Sequence, residues 1–282
     1  MYRTLIMTGL AITAFAANSL LCRAALATGE IDAASFTSIR LISGAMALGA
    51  LVYIRTPRPS LEVKRVFPAA MLFLYAVTFS FAYNSLSAAT GALILFGSVQ
   101  VTMMSFALWR GERPGLLQNA GYGMALAGLL YLMSPGLTAP SLTGSLLMTT
   151  AGIAWGGYTL LGRSAADPLI DTANNFLKTI PLALLVAMFG FQTFSTLGVV
   201  LAIISGTITS GLGYAIWYTA LKELKSTQAA SVQLSVPVIT AIGGVVLLTE
   251  IISIRLLVAS VLILSGIICT LIPKKAANSS ES

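Results

Sequence analysis

The chain alternates between apolar runs about as long as a bilayer is thick and short polar breaks. Runs near 4–27, 33–54, 66–85, 88–109, 115–133, 141–162, 170–190, 196–218, 226–249 and 254–272 read as helical spans, because a bilayer crossing takes about 20 apolar residues. Outer-membrane barrel strands would show shorter segments of alternating polarity. The pattern predicts an all-α integral membrane protein of ten transmembrane helices.

The runs also repeat. Leu20-Leu21-Cys22-Arg23 returns as Leu160-Leu161-Gly162-Arg163, and Tyr83-Asn84-Ser85-Leu86 as Tyr218-Thr219-Ala220-Leu221. Glu112, Gly128 and Pro135 return, at a shared offset of 138, as Glu250, Gly266 and Pro273. The order of the matches divides the chain into a five-helix repeat over 1–135, a second over 136–273, and a polar cytoplasmic tail over 274–282, which composition predicts to be disordered. Five is odd, so the second copy enters the bilayer upside down; inverted repeats are a common construction of secondary transporters.

Charge supports this topology. With the N-terminus in the cytoplasm, 12 of the 16 basic residues fall at inner span ends, among them Arg55, Arg58, Lys64, Arg65, Arg110, Lys222 and Lys274. The breaks near 84–88, 134–140 and 192–196 carry none. This asymmetry is the positive-inside rule and places both termini in the cytoplasm. Charged residues make up 9% of the chain and hydrophobic ones 57%, which excludes a soluble domain. The net charge of +7 sits at span ends and forms no nucleic-acid footprint.

The chain lacks His, and its two cysteines, Cys22 and Cys269, make neither a disulfide framework nor a metal set. No cofactor or metal is expected, and no phosphate-binding GxxxxGK[ST] loop occurs. The first apolar run has features of a signal peptide, but it extends to about Ala27 and pairs with the run near Trp155, so an uncleaved first helix is expected.

Two copies of a five-span unit, the first closing with GALILFGSVQVTMMSFALWRGERP (91–114) and the second carrying AASVQLSVPVITAIGGVVLLTEIIS (229–253), resemble the bacterial ten-helix, EamA-type branch of the drug/metabolite transporter superfamily. In that family the fourth helix of each half often carries a mid-helix Pro and ends in a Gly-Glu-like turn. Glu112 and Glu250 fill the Glu positions, and Pro237 fills the Pro position in the second half only; Thr249 replaces the Gly that Gly111 supplies in the first. The resemblance implies a multi-pass protein of the bacterial inner membrane with a central cavity walled by helices 1–4 and 6–9. It also implies export of small metabolites, the nearest likeness being to exporters of amino acids, aromatic ones included.

A carrier needs polar groups near the midplane, where they are costly and so read as functional by default. Phe15 and Asn18 match Trp155 and Tyr158 at an offset of 140, so both halves offer a polar and aromatic patch to a shared cavity or to ordinary packing. Lys178, with Asn174 one turn before it, either meets a substrate carboxylate or snorkels to the inner surface. Arg40 ranks below it, held by a carbonyl or by Glu30 or Asp32. Gln100, Thr78 and Gln233 are further lining candidates. Pro237 frees the carbonyl near Gln233, which offers a ligand group, a hinge or a kink that only shapes packing, and Tyr83 fits either an outer gate or the interfacial belt. Trp109, Trp217 and Tyr218, near span ends, read as belt residues. Gly121, Gly123, Ala125, Ala127 and Gly128 form a small-residue face for close helix contact, within the fold or in a homo-oligomer. Glu112 and Glu250 read as structural, paired with residues such as Arg113 or Arg255.

The expected partners are an amino acid-like small molecule and the lipid bilayer. With no mid-span acid and no His, an intramembrane enzyme lacks its constellation, and a pore lacks its charged ring or filter.

Overall fold

The computed structural model describes residues 2–55, 66–111, 113–136, 138–162, 165–190, 193–224 and 232–272. Glu112, Arg163 and Pro273, the basic residues Arg58, Lys64, Arg65, Lys225, Lys274 and Lys275, the tail 274–282 and the start of the ninth span lie outside them. Among the described residues the chain is helical, with one isolated β-bridge between Ile31 and Phe194.

The helices are α1 (Tyr2–Ala27), α2 (Ala33–Arg55), α3 (Phe67–Tyr83), α4 (Ala88–Trp109), α5 (Leu116–Met133), α6 (Leu142–Gly162), α7 (Pro168–Ala187), α8 (Thr196–Leu221), α9 (Ser235–Leu248) and α10 (Ile254–Leu271). By length and apolarity α1, α2, α4 and α8 are each sufficient to cross a membrane, and α3, α9 and α10 are shorter apolar helices. Exposed Leu5, Ile6, Leu10, Leu117, Leu130, Val246, Leu257 and Val261 give the bundle an apolar outer face, as a multi-pass membrane protein requires.

Helix starts follow local chemistry. Ser87, Ser195 and Ser253 cap α4, α8 and α10 through their side-chain oxygens, and Asp167 caps α7 just before Pro168, whose missing N–H costs nothing there. Helices α4 and α9 stop by one device. Gly111 (φ 88°) and Thr249 (φ 52°) both turn left-handed, 138 positions apart. A glycine does this freely, whereas Thr249 carries about 1–2 kcal/mol of strain.

Packing pairs the helices in a regular way. α3 lies along α6 as α8 lies along α1, α4 meets α6 as α9 meets α1, and α2–α7, α4–α9 and α5–α10 pack as equivalents. Small residues set the approaches. A Cβ on Gly44 of α2 would meet Phe176 at 2.6 Å and the Gly206 carbonyl of α8 at 2.8 Å. Gly121 of α5 faces Gly266 and Cys269 of α10, so this part of the predicted small-residue face is used within the fold.

Residues 205–212 of α8 form a π-helix, Ser205–Leu212, inside an otherwise α-helical span. Such segments concentrate at functional sites, and this one lies against α1 and α2 at the bundle centre.

Candidate functional site

The centre is a cage of aromatic rings from both halves of the chain. Phe15 meets Trp155 at 5.6 Å, Tyr214 at 5.9 Å and Trp217 at 5.6 Å, all edge-on. Tyr75 lies 5.0 Å from Trp155 and 5.2 Å from Phe79, and Trp155 lies 4.6 Å from Tyr214. A void lined by Phe15, Ser19, Tyr75, Phe79, Trp155 and Tyr214 holds about 10 Å³, the lower limit for one water. The cage therefore has room for about one water, and a larger ligand enters only as the rings separate.

The polar part of the centre is built on the π-helix. Asn18 Oδ1 accepts hydrogen bonds from Ser205 Oγ (2.7 Å), Thr209 Oγ1 (3.1 Å) and Ser210 Oγ (3.3 Å), while its Nδ2 donates to the Tyr75 hydroxyl at 3.3 Å. The i→i+5 winding brings positions i, i+4 and i+5 toward one face, which lets three hydroxyls reach one amide oxygen.

Arg40 stands beside this network, 1% exposed. Its Nε donates to Ser210 Oγ at 2.9 Å and its Nη2 to the Tyr214 hydroxyl at 3.0 Å. The guanidinium lies over the rings of Tyr75 (5.3 Å) and Phe79 (5.0 Å). Its Nη1 is buried and has no hydrogen-bond partner among the described residues. A desolvated cation costs several kcal/mol; two cation–π contacts at about 2 kcal/mol each and two hydroxyl bonds offset part of that. The expectation of a carbonyl, Glu30 or Asp32 as partner is corrected. Glu30 bonds Ser195, and Asp32 Oδ1 and Oδ2 accept from Ser35 N and Oγ.

The two ends of the bundle differ. At the end carrying the 28–32, 84–87 and 249–253 connections, called here the upper end, Glu250 accepts from Arg23 Nε at 3.0 Å and from the Ala88 amide at 2.8 and 3.0 Å. Arg23 Nη1 also donates to the Tyr83 carbonyl at 2.9 Å. A second closure joins Glu30–Asp32 to Thr193–Ser195: the Ser195 amide donates to the Glu30 carbonyl at 2.7 Å and the Asp32 amide to the Thr193 carbonyl at 3.0 Å. At the lower end a pocket of about 30 Å³ opens among Tyr158, Tyr218, Asp171, Asn174, Asn175 and Lys178.

The predicted residues therefore divide into groups. Phe15, Asn18 and Trp155 meet in the central cage. Tyr158, Asn174 and Lys178 line the lower pocket, where Asn175 Nδ2 donates to the Tyr158 hydroxyl at 3.3 Å. Tyr83 belongs to the upper closure and packs its ring against Gly91. Thr78 turns its hydroxyl back to the Leu74 carbonyl at 2.7 Å. Gln100 Nε2 and Gln233 Oε1 are buried with no hydrogen-bond partner among the described residues, and neither side chain lines the central void. Pro237 lies in the first turn of α9 rather than at mid-helix as expected, three residues after the N-cap Leu234 and beside an apolar groove of about 400 Å³ between α4, α9 and α10. Glu250 is paired with Arg23 rather than Arg255, which instead donates to the Ser134 carbonyl at 2.5 Å.

Sequence reasoning missed Tyr214, Trp217 and the centrality of Arg40. Trp109 is exposed, as a belt residue should be, but Trp217 and Tyr218 are buried. Because α8 runs to Leu221, three residues past the predicted end, both side chains sit deeper than their spacing suggested. The available signal was the i, i+3 pairing of Tyr214 with Trp217, which places them on one helix face.

Comparison with known proteins supplies the wider context. The EamA-like transporter family model matches residues 142–272. An uncharacterized protein of Pseudomonas aeruginosa is 50% identical over 275 residues, covering 96% of each chain. An uncharacterized transporter of Archaeoglobus fulgidus is 32% identical over 197 residues, covering 64% of this chain and 68% of its own. The uncharacterized transporter YoaV of Bacillus subtilis is 21% identical, over 84% and 87%. A solved crystal structure aligns over 94% of this chain and 97% of its own with a TM-score of 0.67 at 20% identity, which establishes the likeness in fold.

Proposed function

This chain belongs to the EamA-like transporter family of the drug/metabolite transporter superfamily, and on that premise we propose that it exports small metabolites, amino acids with aromatic side chains among them, by alternating access around the central cage. The observation that carries the reading is the cage itself. Rings from α1, α3, α6 and α8 converge on one closed void at the crossing of the two halves, where an aromatic side chain would replace ring–ring contacts with contacts of its own.

The bundle is read as ten spans in two inverted repeats, 1–135 and 136–273, with both termini cytoplasmic in a bacterial inner membrane. The reciprocal pairing of α3–α6 with α8–α1 and the matched left-handed caps at Gly111 and Thr249 support the repeat. In this orientation the upper closures face outward and the lower pocket faces the cytoplasm. The conformation is then closed outside and poised to load from inside, as an exporter at rest should be. Tyr158, Asn174 and Lys178 form the entry, and Phe15, Asn18 and Trp155 the binding centre. Pro237 is the hinge, because its ring nitrogen cannot bond the carbonyl of Gln233 and so leaves the first turn of α9 without that tie.

Efflux of a panel of labelled metabolites from proteoliposomes tests this. Saturable efflux of phenylalanine, tryptophan or tyrosine supports the substrate class. Efflux confined to other metabolites removes it and leaves the transporter.

A further inference from the structure

The central cage holds a cation whose charge no described carboxylate neutralises. Arg40 is buried against Tyr75, Phe79 and Tyr214, three of the rings that line the void. Its hydrogen bonds go to hydroxyls, which leave its charge in place, and no carboxylate among the described residues pairs with it. One N–H-bearing nitrogen, Nη1, has no hydrogen-bond partner among the described residues. Among the described side chains, Ser210 and Tyr214 accept from Nε and Nη2 of the guanidinium, and the rings of Tyr75 and Phe79 lie together on one side of it. What is missing is one acceptor carrying negative charge, on the edge that has no partner.

We propose that Arg40 is the docking group for the carboxylate of the transported molecule, and that the site therefore selects hydrophobic carboxylates and rejects amines and organic cations that carry no carboxylate. The inference rests on the export reading for the location of the site and adds its charge requirement. The rings take the apolar body, while Nη1 and the field of the guanidinium take the carboxylate. A neutral isostere leaves the same N–H unpaired, and a cation meets a like charge in a medium of low dielectric. Arg40 lies on α2, whereas Ser210 and Tyr214 lie on α8, so the bound anion is held at the seam between the two halves.

The test measures binding first and transport second. Fluorescence of the cage tryptophans Trp155 and Trp217 is followed while the purified full-length protein is titrated with phenylpropionate, phenylpropionamide and phenylethylamine. Phenylpropionate is expected to change the signal saturably, with the amide and the amine at least about 10-fold weaker. Arg40→Met weakens phenylpropionate by about 10- to 100-fold, the worth of one charge-assisted hydrogen bond. Arg40→Lys, which keeps the charge and loses the planar fork, falls between them. Should Arg40→Met not fold, Arg40→Lys and the wild-type ligand series still decide. Equal binding of acid, amide and amine overturns the proposal, as does undiminished binding of the acid by a folded Arg40→Met protein. Absence of a response to phenylpropionate in the wild-type protein overturns it too. If carboxylates bind through Arg40 but no aromatic amino acid is exported, the charge requirement stands and the assigned substrate falls.

Discussion

Glu250 is the member of the upper closure whose loss should be most visible. Its carboxylate ties three segments together: the end of α1 through Arg23, the start of α4 through the Ala88 amide, and its own connection between α9 and α10. Glu250→Gln keeps the shape and removes the charge. Two charge-assisted hydrogen bonds at about 1.5 kcal/mol each sum to about 3 kcal/mol. The side chains of Arg23 and Glu250 are 21% and 14% exposed, and solvent screening reduces the figure to about 2 kcal/mol. That corresponds to a roughly 30-fold shift toward states in which the upper end is open. A native reporter is available. Cys22 is fully buried beside Arg23, and Cys269, partly buried on α10, is removed by Cys269→Ser. A membrane-impermeant maleimide applied outside intact cells should label Cys22 about 30-fold faster in the Glu250→Gln protein than in its parent. Unchanged labelling of a folded variant would refute the role of Glu250 as a clamp. Acceleration only from the cytoplasmic side would refute the assigned orientation.

Two further outcomes follow from the packing. Gly121→Leu should destabilise the protein in detergent by several kcal/mol, because a Cβ there would lie 2.6 Å from the Cys269 Cβ; Gly123→Leu, with nothing within 4 Å, should be neutral, and thermal unfolding separates them. Asn18→Leu removes the acceptor shared by three α8 hydroxyls and should cost about 1–2 kcal/mol in the same assay while lowering transport.

How far the sequence foretold this arrangement depends on the kind of signal. Helix positions were legible because apolar length is a local property: observed helix ends mostly fall within a few residues of the predicted ones. Phe15, Asn18 and Trp155 were legible because the repeat aligns them and because polar or aromatic residues at mid-span stand out. Arg40 was misjudged because pairing was argued from charge, whereas its partners are hydroxyls brought by a helix 170 positions away and ring faces brought by α3. The π-helix left no periodic signature; it emerges from Asn18 gathering Ser205, Thr209 and Ser210 onto one oxygen. Trp217 and Tyr218 were read at a surface because the end of α8 was placed three residues too early.

The central claim is that substrate is carried through the aromatic cage by alternating access, and counterflow in proteoliposomes tests it most directly. Vesicles preloaded with unlabelled phenylalanine should accumulate labelled phenylalanine transiently above equilibrium. That overshoot should vanish in Trp155→Ala, which opens the cage at the ring nearest Tyr214. A linear, non-saturable flux without overshoot in the wild-type protein, or an overshoot undiminished by Trp155→Ala, would contradict the account.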